Sequence, residues 1–318
     1  MTTLASGPTL QTKYGKLGGF TGTMVAPAER ITAFIHGVPG CGKSAFLQSH
    51  PDAFIFNFDN SSTVTPTAKA TIWPGRDPDS GRPIGDDGQP FVLNWPATQA
   101  KINLLKELAV NNQPRPSTVV FDSISAWVQL LVAWVPANAV SLYLRSAEKG
   151  PVDSWRALDG KAAWTAVYDL IYAAIAELQN CGYGVYVIGH VVQKAVPIDE
   201  DLYNIRYDLA LGDGLWRRIF PLFELCATVT TSLETRPVTT QRTVKNRDGS
   251  VRTYDSTTDE TFKAFRLTYE MKGMEGISKS RVRFPPVTLP EHDAWAHFAR
   301  IYNENRSKGV PVPPAPAV

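Results

Sequence analysis

The amino-acid sequence predicts an α/β fold with a mostly parallel central sheet and an antiparallel C-terminal extension. Three observations lead there. Four short apolar runs, ITAFIHG, AFIFNFD, STVVFDS and GVYVIGH, alternate with helix-compatible stretches, as expected for strands buried on both faces and joined by crossover helices. A glycine-rich octapeptide, GVPGCGKS, stands between the first run and a helix-compatible one, SAFLQSH. After Phe220 the texture turns to alternating Thr, Val, Leu and charged residues (CATVTTSLETR, QRTVKNRDGSVRTYD, TFKAFRLTYEM), with Asp248-Gly249 as a hairpin signal.

Taken in order, residues 1–30 are rich in Gly, Thr and Ser without periodicity and read as a flexible arm. The folded unit is expected over 31–288. Within it, residues 74–90 are dense in Gly, Pro and Asp and read as a surface loop. Trp164, Val167, Tyr168, Ile171, Ile175 and Leu178 recur at helical spacing, and Asn180-Cys181-Gly182 supplies the stop, so strand, helix, strand links the third and fourth runs. Residues 289–318 are expected to be a C-terminal helix and a Pro-rich tail, GVPVPPAPAV, outside the domain.

Composition narrows the function. With 43% hydrophobic and 19% charged residues over 318 positions, the chain is globular, and two domains is the ceiling. A net charge of +2 means that any nucleic-acid contact must come from local clusters. Cys41, Cys181 and Cys226 have no C-x-x-C spacing, which argues against a disulfide framework or a structural zinc. The N-terminus lacks a signal-peptide layout, and the longest apolar stretch, Ala126 to Pro136, is too short for a bilayer. A soluble, cytoplasmic protein without a membrane partner is expected.

The chemistry starts at Gly37 to Ser44, which matches G-x-x-x-x-G-K-[ST] in full and sits between strand and helix. Glycines at 37, 40 and 42 let backbone N–H groups turn inward around phosphate oxygens. Gly37, Val38, Pro39, Gly40, Cys41, Gly42, Lys43, Ser44 and Ala45 are therefore the expected ATP-binding loop, with Lys43 reaching the β/γ-phosphates and Ser44 ligating Mg²⁺. Asp122, at the end of STVVFDS, is placed to hold the Mg²⁺ shell. Asp59 ends AFIFNFD at the same sheet edge and is a candidate to orient the attacking water, or else a loop cap before Asn60. His190 ends GVYVIGH, either as a group that hydrogen-bonds a γ-phosphate or as a satisfied buried histidine.

This series, GVPGCGKS, a strand ending in a carboxylate, TVVFDSISAW and YGVYVIGH, resembles the RecA-like P-loop ATPases, in particular the phage-encoded single-strand annealing ATPases of the Sak group. The resemblance spans roughly 31–284 and implies the roles given above for Lys43, Ser44 and Asp122. It places Asp59 where the family usually carries a catalytic Glu, and His190 where it carries a polar γ-phosphate sensor. It also implies that Lys279 and Arg281, a K-x-R pair after a late strand, reach the nucleotide of a neighbouring subunit in a homo-oligomeric ring or filament; the residues alone read equally as a solvated loop. Gly19-Phe20-Thr21 in the arm bears a faint likeness to the family's oligomerisation strands.

For single-stranded DNA, cations interleaved with aromatics point to two loops: Arg145, Lys149 and Arg156 with Tyr143 and Trp155, then Lys194 and Arg206 with Tyr203 and Tyr207. Acidic neighbours leave a plain solvated face as the other reading. The hairpin region from Arg236 to Arg252, denser in charge, reads as a second DNA contact or only as an edge protected by charge. The expected function is an ATP-dependent single-stranded DNA-binding ATPase promoting annealing or recombination, with a single-strand binding protein as a further partner and, if phage-encoded, in a bacterial host cytoplasm. The rivals are a nucleotide or metabolite kinase and a helicase-loader-like partner module.

Overall fold

The computed structural model describes residues 26–59, 68–77, 79–146, 149–150, 152–199, 202–245, 251–269, 278–290 and 293–307. Gly19-Phe20-Thr21, Asn60, the Asp248-Gly249 turn and the Pro-rich tail lie outside these residues. The elements are β1 (Thr32–Gly37), α1 (Lys43–Gln48), β2 (Ala53–Asn57), β3 (Thr71–Trp73), β4 (Gly75–Arg76), β5 (Pro83–Ile84), α2 (Trp95–Val110), β6 (Thr118–Asp122) and α3 (Ile124–Trp134). They continue with α4 (Gly160–Asn180), β7 (Gly184–Asp199), β8 (Leu202–Leu209), α5 (Asp213–Ile219), β9 (Leu225–Lys245), β10 (Val251–Thr268), β11 (Lys279–Ser280), β12 (Val287–Leu289) and α6 (Ala294–Ser307). No helix among the described residues is long and apolar enough to cross a membrane.

The sheet runs β12-β10-β9-β1-β7-β6-β2-β3. From β9 to β3 every pairing is parallel, while β10 and β12 add antiparallel strands at one side. This is the mostly parallel sheet with an antiparallel extension that the apolar runs imply. Side chains alternate across it. Phe34, Val119, Phe121, Val185 and Val187 face a core shared with Trp127, Val167 and Ile171 of α3 and α4. Ile35, Val120, Tyr186 and Ile188 face the other core with Phe46 of α1 and Phe298 of α6. The helices start where small polar residues cap them: the Asn94, Ser123 and Asp159 side chains accept from backbone N–H groups at the starts of α2, α3 and α4.

Three expectations need correction. The C-terminal helix, expected beyond the domain's end at 288, is part of its core: Trp295, Phe298 and Tyr302 are buried against Phe46, Tyr186 and Phe284. At the other end, residues 26–30 do not behave as an arm, because Ala28 is buried, its N–H donates to Asn303 Oδ1 and its carbonyl accepts from the Tyr186 hydroxyl. The fourth run does not end at His190 either. β7 continues to Asp199 and folds back antiparallel on β8, so that Lys194 and Arg206, expected on a loop, are Cα partners in a ladder. Residues 74–90 carry a small β4–β5 hairpin within a largely exposed segment.

Candidate nucleotide site

Parallel strands deliver their C-terminal ends to one edge, and chain order reverses across β1, whose neighbours are β7 and β9. A ligand crevice is expected at such a switch point. There the loop from Gly37 to Gly42 joins β1 to α1. Gly37 has φ 153°, and a Cβ on it would lie 2.4 Å from the Val229 carbonyl oxygen of β9. Gly42 has φ 89°, and its Cβ would lie 2.7 Å from the Phe265 ring of β10. Both positions therefore exclude a side chain, for conformation and for space.

Lys43 is 4% exposed, and its ammonium donates to the Gly37 and Val38 carbonyls at 2.9 and 2.8 Å, with Cys41 Sγ at 3.5 Å. The cation is thus held inside the loop by neutral acceptors. Cys41 is buried at 1% exposure, and burial raises its thiol pKa against the opposing pull of Lys43. It is an inert wall of the loop.

β6 brings Asp122 to the same edge at 3% exposure. Burial pushes its carboxyl up to about 6, and the nearby Asp59 charge adds to this, against a hydrogen bond from Ser44 and the attraction of Lys43. Asp59 is fixed to the end of β6 because the Phe58 and Asp59 N–H groups both donate to the Asp122 carbonyl, at 2.6 and 3.2 Å. His190 pairs in register with Gly37, one strand away. Its imidazole pKa is lowered by burial and then by Lys43, with Asp59 opposing, and its Nδ1 has no hydrogen-bond partner among the described residues. Lys43, Ser44, Asp59, Asp122 and His190, expected from separate runs, therefore form one cluster.

The residues fit a magnesium nucleotide. Mg²⁺ takes one or two carboxylates or hydroxyls and completes its shell with water and phosphate oxygens. The Ser44–Asp122 pair is such a partial shell, and among the described residues there is no group of three His, Cys, Asp or Glu that would hold a metal unaided. A divalent cation beside Asp122 would offset the burial that disfavours its charge.

The K-x-R pair is elsewhere. β11 pairs with the start of β9, Lys279 opposite Cys226, at the N-terminal edge of the parallel strands. Lys279 donates to the Phe220 carbonyl at 2.6 Å and lies 4.0 Å from the Phe220 ring centroid; its pKa is lowered, chiefly by burial. Arg281 is 3.4 Å from Glu224. Of the cations expected at DNA, Lys149 and Arg156 are exposed and Arg145 is half-buried, in the segment between α3 and α4.

Two groups escaped the sequence reading. Val229 and Phe265 form the floor under the loop glycines, through long-range pairing that no local pattern shows. An aromatic stack, Phe56–Phe121 at 5.0 Å, Phe58–Trp127 at 5.6 Å and Phe121–Trp127 at 4.3 Å, underlies the carboxylates. The signal for it was present: Phe-Asp occurs at 58–59 and again at 121–122.

The model of the AAA domain family matches residues 29–264, nearly three-quarters of the chain, and takes in Lys43, Ser44, Asp59, Asp122 and His190. Among curated proteins none matches the chain. With a full phosphate-loop motif at the switch point of a mostly parallel sheet, this chain belongs to the AAA domain family and carries a P-loop ATPase-like nucleotide site.

Proposed function

We propose that the protein hydrolyses ATP with Mg²⁺ and couples that cycle to binding single-stranded DNA, for strand annealing or homologous recombination. The observation that carries this reading is where the cluster sits. His190, beside the phosphate loop, is also the residue at which β7 leaves the sheet as the β7–β8 ribbon, and its carbonyl accepts from Ala210 N–H at the ribbon's return. A group that gains or loses a hydrogen bond with the terminal phosphate at this hinge changes the base of a projecting element.

In this reading Lys43 and the loop N–H groups bind and orient the phosphates, and Ser44 and Asp122 hold the cation, which supplies charge neutralisation when bound. Asp59, tied to the end of β6, positions water and accepts its proton. Lys279 and Arg281, at the opposite edge, serve only a neighbour's nucleotide, in a head-to-tail assembly that closes as a ring or continues as a filament. Arg281 is exposed and must leave Glu224 to take that role, as Lys279 must leave Phe220.

Fluorescence anisotropy of a labelled oligothymidylate, with and without Mg²⁺-ATP, tests the proposal. The expected result is binding that tightens with nucleotide, together with ATP turnover that rises on adding the strand. Turnover that ignores DNA and transfers phosphate to a small acceptor would replace it with a kinase; nucleotide binding with no affinity for DNA would leave a protein-directed partner module.

A further inference from the structure

The β9–β10 ribbon is longer than the sheet requires. β1 pairs with β9 only as far as Thr228, and β12 pairs with β10 only over Phe265 to Leu267. From Ser232 to Lys245 and from Val251 to Ala264 the two strands pair with each other. No other strand among the described residues joins them. The side chains described from Gln241 to Thr243 and from Val251 to Asp255 are exposed. A two-stranded ribbon that buries neither face adds little to stability.

Register sorts its distal part into two unlike faces. On one lie Arg242, opposite Tyr254, and Arg252, opposite Val244; on the other lie Thr243 opposite Thr253, Gln241 opposite Asp255, and Thr239 opposite Thr257. The threonine face closes on itself, with Oγ1–Oγ1 hydrogen bonds of 3.0 Å between Thr239 and Thr257 and 3.4 Å between Thr243 and Thr253. The other face is open: Tyr254 is 50% exposed, and neither Arg242 nor Arg252 pairs with a carboxylate among the described residues. Nearer the sheet the pattern differs, for Arg266 is neutralised by Glu234 at 2.7 Å.

We infer that the distal β9–β10 ribbon, through Arg242, Arg252 and Tyr254, is a contact for single-stranded nucleic acid, separate from the segment between α3 and α4 and from the β7–β8 ribbon. Two guanidiniums without a carboxylate partner among the described residues, flanking an exposed ring on one face, suit phosphates and a stacked base, whichever base it is. Cross-strand neighbours have Cβ atoms about 5 Å apart and residues two apart on a strand lie about 6.6 Å apart, so all three side chains reach one short stretch of strand. The same ribbon at its root supplies Val229 and Phe265 beneath the phosphate loop. The inference rests on the DNA-binding reading above and adds a place to it.

The test is salt-dependent anisotropy of labelled oligothymidylate with the full chain, wild type against Arg242→Gln/Arg252→Gln/Tyr254→Leu. Losing two phosphate contacts should flatten the slope of log K against log salt by about 1.4, at about 0.7 per contact on a single strand. Affinity at low salt should fall about tenfold or more, while nucleotide affinity is unchanged, which reports an intact fold. Arg242→Lys/Arg252→Lys should keep the slope, and Thr243→Ala/Thr253→Ala, on the opposite face, should change nothing. Wild-type affinity and slope in the triple variant would overturn the inference while leaving DNA binding intact. So would a change confined to assembly in sedimentation velocity, which would make this face a contact between copies. Wild-type protein that binds no oligothymidylate at low salt would overturn the parent reading and this one together.

Discussion

The two edges of the parallel sheet handle buried polar groups in opposite ways. At the N-terminal edge the ionisable ones are closed into local partnerships, although the buried Thr32 hydroxyl has no partner among the described residues: His50, stacked on Trp295 at 4.0 Å, contacts Thr118 Oγ1 at 2.9 Å and accepts from Asp52 N–H at 3.0 Å. Lys279 is bound to Phe220, and Arg115 donates to the Cys181 carbonyl. At the C-terminal edge, among the described residues, Lys43 has carbonyls and a thiol as its hydrogen-bond partners, Asp122 is buried at a raised pKa, and His190 Nδ1 is unpartnered. Edges that close on themselves serve stability; an edge that leaves charge incompletely compensated is arranged for a ligand that supplies the rest.

Substitutions at the two edges should therefore separate activity from stability. The largest effect is expected for Lys43→Ala: turnover falls by about 10³-fold or more, because the lost cation stabilises phosphate charge. The melting temperature should move little. A comparable loss of folding would show that Lys43 is a core residue and erase the contrast.

His50 gives the counterpart. Its folded pKa is lowered to about 4 from 6.5, first by burial, with Asp52 opposing. The unfolded chain therefore takes up this proton first as pH falls. The stability held above pH 6.5 should drain away between 6.5 and 4, by about 3 kcal/mol. Urea unfolding across that range should show the loss in wild type and a flatter profile in His50→Gln, with turnover unaltered at neutral pH. An equally steep profile in the variant would assign the pH dependence elsewhere.

Asp59→Ala should slow hydrolysis by about 10²-fold with a smaller effect on nucleotide affinity, as loss of a water-positioning group does. If affinity falls as far as turnover, Asp59 is a cap. Asp122→Asn should remove cation-dependent turnover and yet stabilise the nucleotide-free protein by about 1 to 3 kcal/mol, since it deletes a charge that burial disfavours. Destabilisation instead would place Asp122 among the closed partnerships of the other edge.

Legibility followed the range of the interactions. Gly37 to Ser44 could be read because the chemistry of a phosphate loop is local in sequence, and the apolar runs gave the parallel strands because both their faces are buried. The β7–β8 ribbon was hidden: past His190 the strand exchanges parallel pairing with β1 for antiparallel pairing with β8, a change that no local pattern marks. Lys279 and Arg281 could not be located because β11 is two residues long and its position depends on pairing with Leu225 and Cys226. The C-terminal helix was expected, but beside the Pro-rich end it was set outside the domain, although Trp295, Phe298 and Tyr302 of α6 lie at helical spacing and fill a core.

The most direct test of the claim that the C-terminal edge is a magnesium-nucleotide site is calorimetric titration of ATP, with and without Mg²⁺, into wild type and Lys43→Ala, each checked for the same melting temperature. Saturable wild-type binding that strengthens with Mg²⁺ and is lost or greatly weakened in Lys43→Ala is expected. Equal binding by the two proteins, or none by wild type in the presence of Mg²⁺, would contradict it.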